Sequence, residues 1–256
     1  MISDALLFTY AALLGAAVGS FLNVCVYRLP EGESVVSPPS RCPHCGAGIR
    51  WHDNLPILGW VMLRGRCRSC RAGISAQYPL VELTVAVLWV AAAARHGFSW
   101  QALSSALFFT LLLGIALTDA RRYIIPDEFS IGGALLGLAL SLAPGGISPL
   151  QSLLGAAVGF GVLWLVAEAG ERIFRKPAMG GGDIKMMAML GAFLGWQGVL
   201  LTLFLGALLG TLIFGPISMR TGKLVPFGIF LALGAAVTEP FGAAMLDWYL
   251  RAVTGG

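Results

Sequence analysis

The run ALLFTYAALLGAAVGSFLNVCVY (residues 5–27) contains no Asp, Glu, Lys or Arg. As an α-helix rising about 1.5 Å per residue, it is long enough to cross a hydrocarbon core of about 30 Å. The rest of the chain is of the same kind: 57% of its 256 residues are hydrophobic and only 12% are charged, where a soluble domain carries about 25%. Lipid is therefore expected to be the main solvent. The first cation, Arg28, follows the run, whereas a cleaved secretion signal wants a basic start and a short apolar core. The run is expected to remain as a permanent anchor.

Outward from this helix, apolar runs between charged or Gly/Pro-rich breaks predict eight membrane helices, at 5–27, 79–95, 101–118, 128–143, 150–170, 186–197, 198–218 and 225–249. The sixth is short and is separated from the seventh only by Trp196, Gln197 and Gly198; it is expected to tilt or to begin in a protein-lined cavity. With the N-terminus outside, the connections 28–78, 119–127, 171–185 and 219–224 face the cytoplasm. Of the 17 Lys and Arg residues, only Arg95 and Arg251 then lie outside, as the positive-inside rule requires. Both termini are outside in this orientation. The net charge of +4 does not speak for nucleic acid, because the cations are scattered over short connections and form no single face. No internal repeat is evident.

The sizeable polar segment, 28–78, is too small for a conventional apolar core and needs a staple. It holds CPHC (Cys42 and Cys45) and CRSC (Cys67 and Cys70), 21 residues apart, close to the spacing of a four-cysteine zinc ribbon. A two-residue gap lets both thiolates of a knuckle reach one tetrahedral ion. In a reducing cytoplasm the four sulfurs favour Zn2+ or a similar metal over disulfides. Four sulfur ligands leave no open position, so the role is structural; His44 and His52 are not needed, and Cys25 reads as a small buried hydrophobe.

Two carboxylates stand beside apolar runs on the cytoplasmic side: Asp119 in LTDARRYIIPD (117–127) and Asp183 in MGGGDIK (179–185). Ionisable groups at membrane depth are costly and mark functional candidates. If the two meet in a desolvated cleft, they hold one proton between them. The ionised member can take a proton from water attacking an amide, and the protonated one can polarise the carbonyl and protonate the leaving amine. Gly180, Gly181 and Gly182 would let backbone approach a substrate closely. A phosphate loop is a poorer reading, for no Walker pattern is present. The plain alternative is that Asp183 caps a helix and Asp119 is solvated beside Arg121 and Arg122.

The chain resembles the type IV prepilin peptidases. The resemblance rests on GSFLNVCVYRLP (19–30), the two CxxC pairs, NLP (54–56), RGRC (64–67), YPLVE (78–82), the 117–127 segment, GGGDIK (180–185) and PFG (226–228), in that order. It implies an all-α, polytopic inner-membrane protein with about eight transmembrane helices and a small cytoplasmic zinc-ribbon-like loop. It also implies cleavage of the basic leader of prepilins and pseudopilins on the cytoplasmic side, followed by methylation of the new N-terminal amine with S-adenosylmethionine. The family's catalytic aspartates match Asp119 and Asp183, with Asp127 as understudy and Gly180, Gly182 and Lys185 as secondary candidates; Lys185 could steady Asp183 or an oxyanion. No dinucleotide-type glycine fingerprint exists, so the methyl-donor site is sought around the first helix end, with Asn23, Tyr27, Arg28 and Glu82 as candidates. An Arg28–Glu82 pair that merely pins two helices is the competing reading. Residues 1–100 would form the methyltransferase part and 101–256 the peptidase part. The expected partners are prepilins, pseudopilins and membrane lipid, with no nucleic acid. Two other readings stay open: a peptidase with a purely structural zinc loop, and a zinc-stapled proton- or cation-coupled transporter.

Overall fold

The computed structural model describes residues 4–176, 179–221 and 226–254; of the expected 219–224 connection, 222–224 lie outside these. Among the described residues the chain is helical, with no strand beyond two isolated β-bridges. The helices are α1 (Asp4–Arg28), α2 (Leu58–Met62), α3 (Gln77–His96), α4 (Trp100–Arg122), α5 (Asp127–Leu140), α6 (Pro149–Phe174), α7 (Gly181–Thr221) and α8 (Phe227–Thr254), with 3-10 turns at Leu29–Glu31 and Trp51–Asn54. Each of the eight apolar runs falls mainly in a helix, though the expected 128–143 overruns α5, which stops at Leu140, and residue 225 of the expected 225–249 lies outside the described residues. Among the described residues six helices are long and apolar enough to cross a membrane: α1, α3, α4, α6, α7 and α8.

The chain divides into two compact units, Met1–Thr110 and Leu111–Gly256. In the first, α1 packs on α3 at backbone distance. A methyl on Gly19 would stand 2.8 Å from Glu82 Cα, and one on Gly15 would stand 2.9 Å from Ala86 Cα. Without a hydrophobic force between helices in lipid, such small-residue contact is what lets them associate.

In the second unit, the sixth and seventh runs are the two arms of α7, which is broken at Gly195 (φ 71, ψ 176). A methyl on Gly159 of α6 would collide with the Met187 carbonyl and stand 3.0 Å from Val199 Cγ2. In one straight helix those residues would be about 18 Å apart, so the chain turns back at Gly195. The arm 181–194 and α5 have 14 residues each, which at 1.5 Å per residue is about 21 Å, less than a full crossing. They run side by side in one direction, for Gly133 faces Met189 and Gly137 faces Phe193. Their N-termini therefore lie together. The glycines of the expected fourth, fifth and seventh helices serve close packing, as Gly137, Gly155 and Gly206 do here.

The φ and ψ of Gly195 fall in a region only glycine adopts freely. Gly195→Ala is expected to destabilise the second unit by about 1–3 kcal/mol. Thermal unfolding in detergent reads this, and an unchanged Tm would contradict the reversal.

Candidate active site and metal centre

Helix α4 carries the first carboxylate in its last turn. Asp119 is 5% exposed, next to fully buried Thr118, and its carbonyl accepts the amide of Tyr123, whose left-handed φ of 55° turns the chain out of the helix. Ile125 and Pro126 are buried, and Pro126, which has no amide hydrogen to leave unsatisfied, introduces α5.

A single hydrophobic side chain ties the surrounding elements together. Ile125 lies 3.0 Å from where a methyl on Gly182 would be and 2.9 Å from one on Gly228 at the start of α8. The Gly228 position is in turn 2.9 Å from Asp119 Oδ2. Asp183 follows Gly182 at the start of α7, its amide bonded to the Gly180 carbonyl at 3.2 Å, and it stands within electrostatic reach of Asp119. The Cβ-free face of Gly180 is 3.5 Å from Asp183 Oδ2. Residues 64 positions apart in sequence thus stand at one junction, with the N-terminal ends of α5, α7 and α8 gathered around it. Those ends carry partial positive charge, which favours carboxylates in a poorly solvated place.

Asp127 and Lys185 are close by but turned to each other. Lys185 Nζ donates to Asp127 Oδ1 at 2.7 Å and Oδ2 at 2.9 Å, with both side chains substantially exposed. The pair joins the N-termini of α5 and α7. An exposed ion pair is worth about 0–1 kcal/mol, so Asp127→Asn is expected to slow any reaction at this site by less than about tenfold. A loss as large as that of an Asp119 variant would make Asp127 part of the chemistry.

In the first unit, Asn23 is 2% exposed; its Nδ2 donates to the Tyr78 carbonyl at 3.1 Å and its buried Oδ1 has no hydrogen-bond partner among the described residues. Tyr27 stacks on Tyr78 with centroids 5.3 Å apart. Arg28 and Glu82 do not meet. Arg28 donates to the carbonyls of Ser34 and Pro38 at 2.9 and 2.8 Å. Glu82 Oε2 accepts the amide of Ile57 at 2.6 Å. Ile57 has φ 62° and ψ −53°, and Leu58 bonds back to the Pro56 carbonyl at 2.6 Å, which is a strained γ-turn on a β-branched residue. Both charges therefore hold the polar loop on the helices, in place of the helix-to-helix pair admitted from the sequence.

The cysteine loop contains a repeat that the sequence reading missed. RCPHCGAG (41–48) and RCRSCRAG (66–73) fold alike. Cys42 accepts from Gly46 and Cys67 from Arg71 at their carbonyls, the Cys42 and Cys67 amides reach the Ala47 and Ala72 carbonyls, and each knuckle closes through a bridge, Arg41 to Gly48 and Arg66 to Gly73. Gly46 and Arg71 both have positive φ. The signal was the RCxxCxAG pattern 25 positions apart. The sulfurs of Cys42, Cys45, Cys67 and Cys70 lie within 4.8 Å of one another, Cys42 and Cys70 at 3.8 Å. Ligands about 2.3 Å from a tetrahedral Zn2+ stand about 3.8 Å apart, so the four sulfurs fit it. The backbone amides of Cys70 and Ser69 pull the Cys67 thiol down to about 6, toward the thiolate a metal needs. Asp53, held low by hydrogen bonds from Arg68 at 2.5 and 2.7 Å, ties the Trp51–Asn54 turn to the second knuckle.

Family models match the chain in two blocks: the bacterial peptidase A24 N-terminal domain over residues 13–96 and the type IV leader peptidase family over residues 106–215. A prepilin leader peptidase/N-methyltransferase of Aeromonas hydrophila is 36% identical over 273 residues, 96% of this chain and 94% of its own length. The chain belongs to the type IV leader peptidase family. Two further leader peptidases bear the same name. That of Stutzerimonas stutzeri is 36% identical over 277 residues, with 97% of this chain and 96% of its own covered. That of Myxococcus xanthus strain DK1622 is 40% identical over 224 residues, 88% of this chain but only 63% of the relative's length. No solved structure matches this leader peptidase family member.

Proposed function

We propose that this multi-pass membrane protein is an aspartic endopeptidase that removes the basic leader of type IV prepilins and pseudopilins and then methylates the new N-terminal amine. The observation that carries the peptidase reading is a buried Asp119 beside Asp183 at a junction of helix ends. The ionised carboxylate takes a proton from water, and the water oxygen bonds to the scissile carbonyl carbon. The protonated carboxyl donates to the departing nitrogen as the C–N bond breaks. One water is consumed, and a carboxylic acid and an amine are released. Lys185, engaged by Asp127, holds the mouth of the site in register and is not the group that steadies Asp183. Cleavage is preferred to transport because Asp119 and Asp183 stand in the last turn of α4 and the first turn of α7, at helix ends, and not midway along a span.

The methyltransferase part is placed in residues 1–100 and the peptidase part in 101–256. Cys42, Cys45, Cys67 and Cys70 would hold the metal, whose contribution is to staple the loop. S-adenosylmethionine fits the region of Asn23, because a buried acceptor that no described residue donates to suits the cofactor's ammonium. When bound, it supplies an electrophilic methyl group. Asn23 would hold the ammonium, Tyr27 and Tyr78 would offer aromatic faces, Arg28 would fix the loop, and Glu82 would orient the 56–58 turn over the site. The charge bias of the connections supports the cytoplasmic placement of this loop and of the two aspartates, with both termini outside.

The test is purified protein with a prepilin-like peptide and labelled S-adenosylmethionine, read by intact mass. Loss of the leader followed by gain of one methyl supports the proposal; an unchanged peptide rejects it. Glu82→Gln is expected to abolish methylation and to leave cleavage near wild type; methylation retained in the folded variant removes Glu82 from the site.

A further inference from the structure

The two carboxylates of the proposed site differ in their surroundings. Helix α8 begins at Phe227, and the amide of Ile229, in its first turn, donates to Asp119 Oδ2 at 3.2 Å. The neighbouring Gly228 amide is directed at the same carboxyl. First-turn amides have no partner within their own helix, so Asp119 answers an unmet need of α8 while receiving the positive end of its dipole. Among the described residues, none donates a hydrogen bond to the Asp183 carboxylate. Gly228 permits this arrangement because a methyl there would stand 2.9 Å from Asp119 Oδ2 and 2.9 Å from Ile125 Cδ1.

We infer that the start of α8 divides the labour between the two aspartates: Gly228 and Ile229 are positioning residues that hold Asp119 as the water-activating carboxylate, which leaves Asp183 as the proton donor. This rests on the peptidase reading above. A charge settles where donors already point at it, and preorganised donors need not reorganise during the reaction. In the reaction, the water proton passes to Asp119 as the O–C bond forms. The Asp183 proton goes to the leaving nitrogen as the C–N bond breaks, and the proton on Asp119 then returns to Asp183 or to solvent. The PFG motif at 226–228 thus acquires a role that its side chains could not announce, since the acting groups are main-chain amides.

The experiment measures kcat and KM for a prepilin-like peptide with the full chain in detergent. Ile229→Pro removes the amide hydrogen at a first-turn position where proline is tolerated, and Gly228→Ala presses a methyl against the carboxylate. Each is expected to lower kcat by about 10-fold to 100-fold with KM unchanged, while Ile229→Ala, which keeps the amide, stays near wild type. Undiminished kcat in Gly228→Ala or Ile229→Pro overturns the inference, as does a fall for Ile229→Ala equal to that for Ile229→Pro. Should Ile229→Pro not accumulate, Gly228→Ala decides.

The roles are separated with a leader peptide esterified to nitrophenol, whose leaving group needs no proton. Asp183→Asn is expected to regain at least about tenfold relative to its amide defect, and Asp119→Asn is not. The reverse pattern, or equal recovery, overturns the assignment. Full amide cleavage by Asp119→Asn would instead reject the peptidase reading itself, so the two failures are distinguishable.

Discussion

Asp119→Asn and Asp183→Asn are each expected to lose leader cleavage by about 10²–10⁴-fold, the usual contribution of a positioned acid or base, while both still methylate a pre-cleaved peptide. Asparagine keeps the shape of the side chain, and its carbonyl at position 119 can still accept the Ile229 amide. What it cannot do is take or give a proton. The folded state should be no less stable than wild type, because a neutral amide avoids the desolvation that burial imposes on a carboxylate. Methylation should persist because the proposed methyl-site residues, Asn23, Tyr27, Arg28 and Glu82, all belong to the first unit. Cleavage retained by either variant, read by intact mass, would place the reaction elsewhere.

Removal of the metal should have the second largest effect, and in the opposite half of the activity. Between residues 28 and 78 only Cys42, Gly59 and Gly65 are buried, so the loop has no apolar core to fall back on. A structural zinc site contributes about 10–16 kcal/mol in small zinc-dependent folds. Chelation, or Cys67→Ser, is expected to release one Zn2+ per chain, expose the loop to protease and abolish methylation, with peptide cleavage largely kept. The link to methylation runs through Ile57, which lies between the knuckles and gives its amide to Glu82. Metal analysis, limited proteolysis and methyl incorporation read the three effects. A loop still protease-resistant and methylating without metal would show that the sulfurs are not the staple.

The two sets of candidate residues were legible to different degrees. Cysteines at two-residue spacing and carboxylates beside apolar runs stand out because their chemistry resides in side chains, which the sequence spells. The partners of Asp119 do not. The Ile229 amide is carried by every residue except proline, and only the position of α8 aims it. For Lys185 the sequence left open a role toward Asp183, toward an oxyanion or at the interface; the structure pairs it with Asp127, because α5 and the first arm of α7 run in parallel with their ends adjacent. A helix-to-helix Arg28–Glu82 pair was one of two readings of those charges, but backbone groups of the intervening loop reach each of them.

By itself, the sequence determined that this chain belongs in lipid, that its helices pack through glycine, and that a small polar loop carries four sulfurs in two knuckles. Those features depend on composition and local spacing, which act over a few turns of chain. The tertiary structure alone decided the reversal at Gly195, the use of Ile125 as the wedge between Gly182 and Gly228, and the delivery of α8 amides to one aspartate but not the other. These depend on which helix ends meet in space, and contacts between residues scores of positions apart leave no period or motif in the chain that makes them.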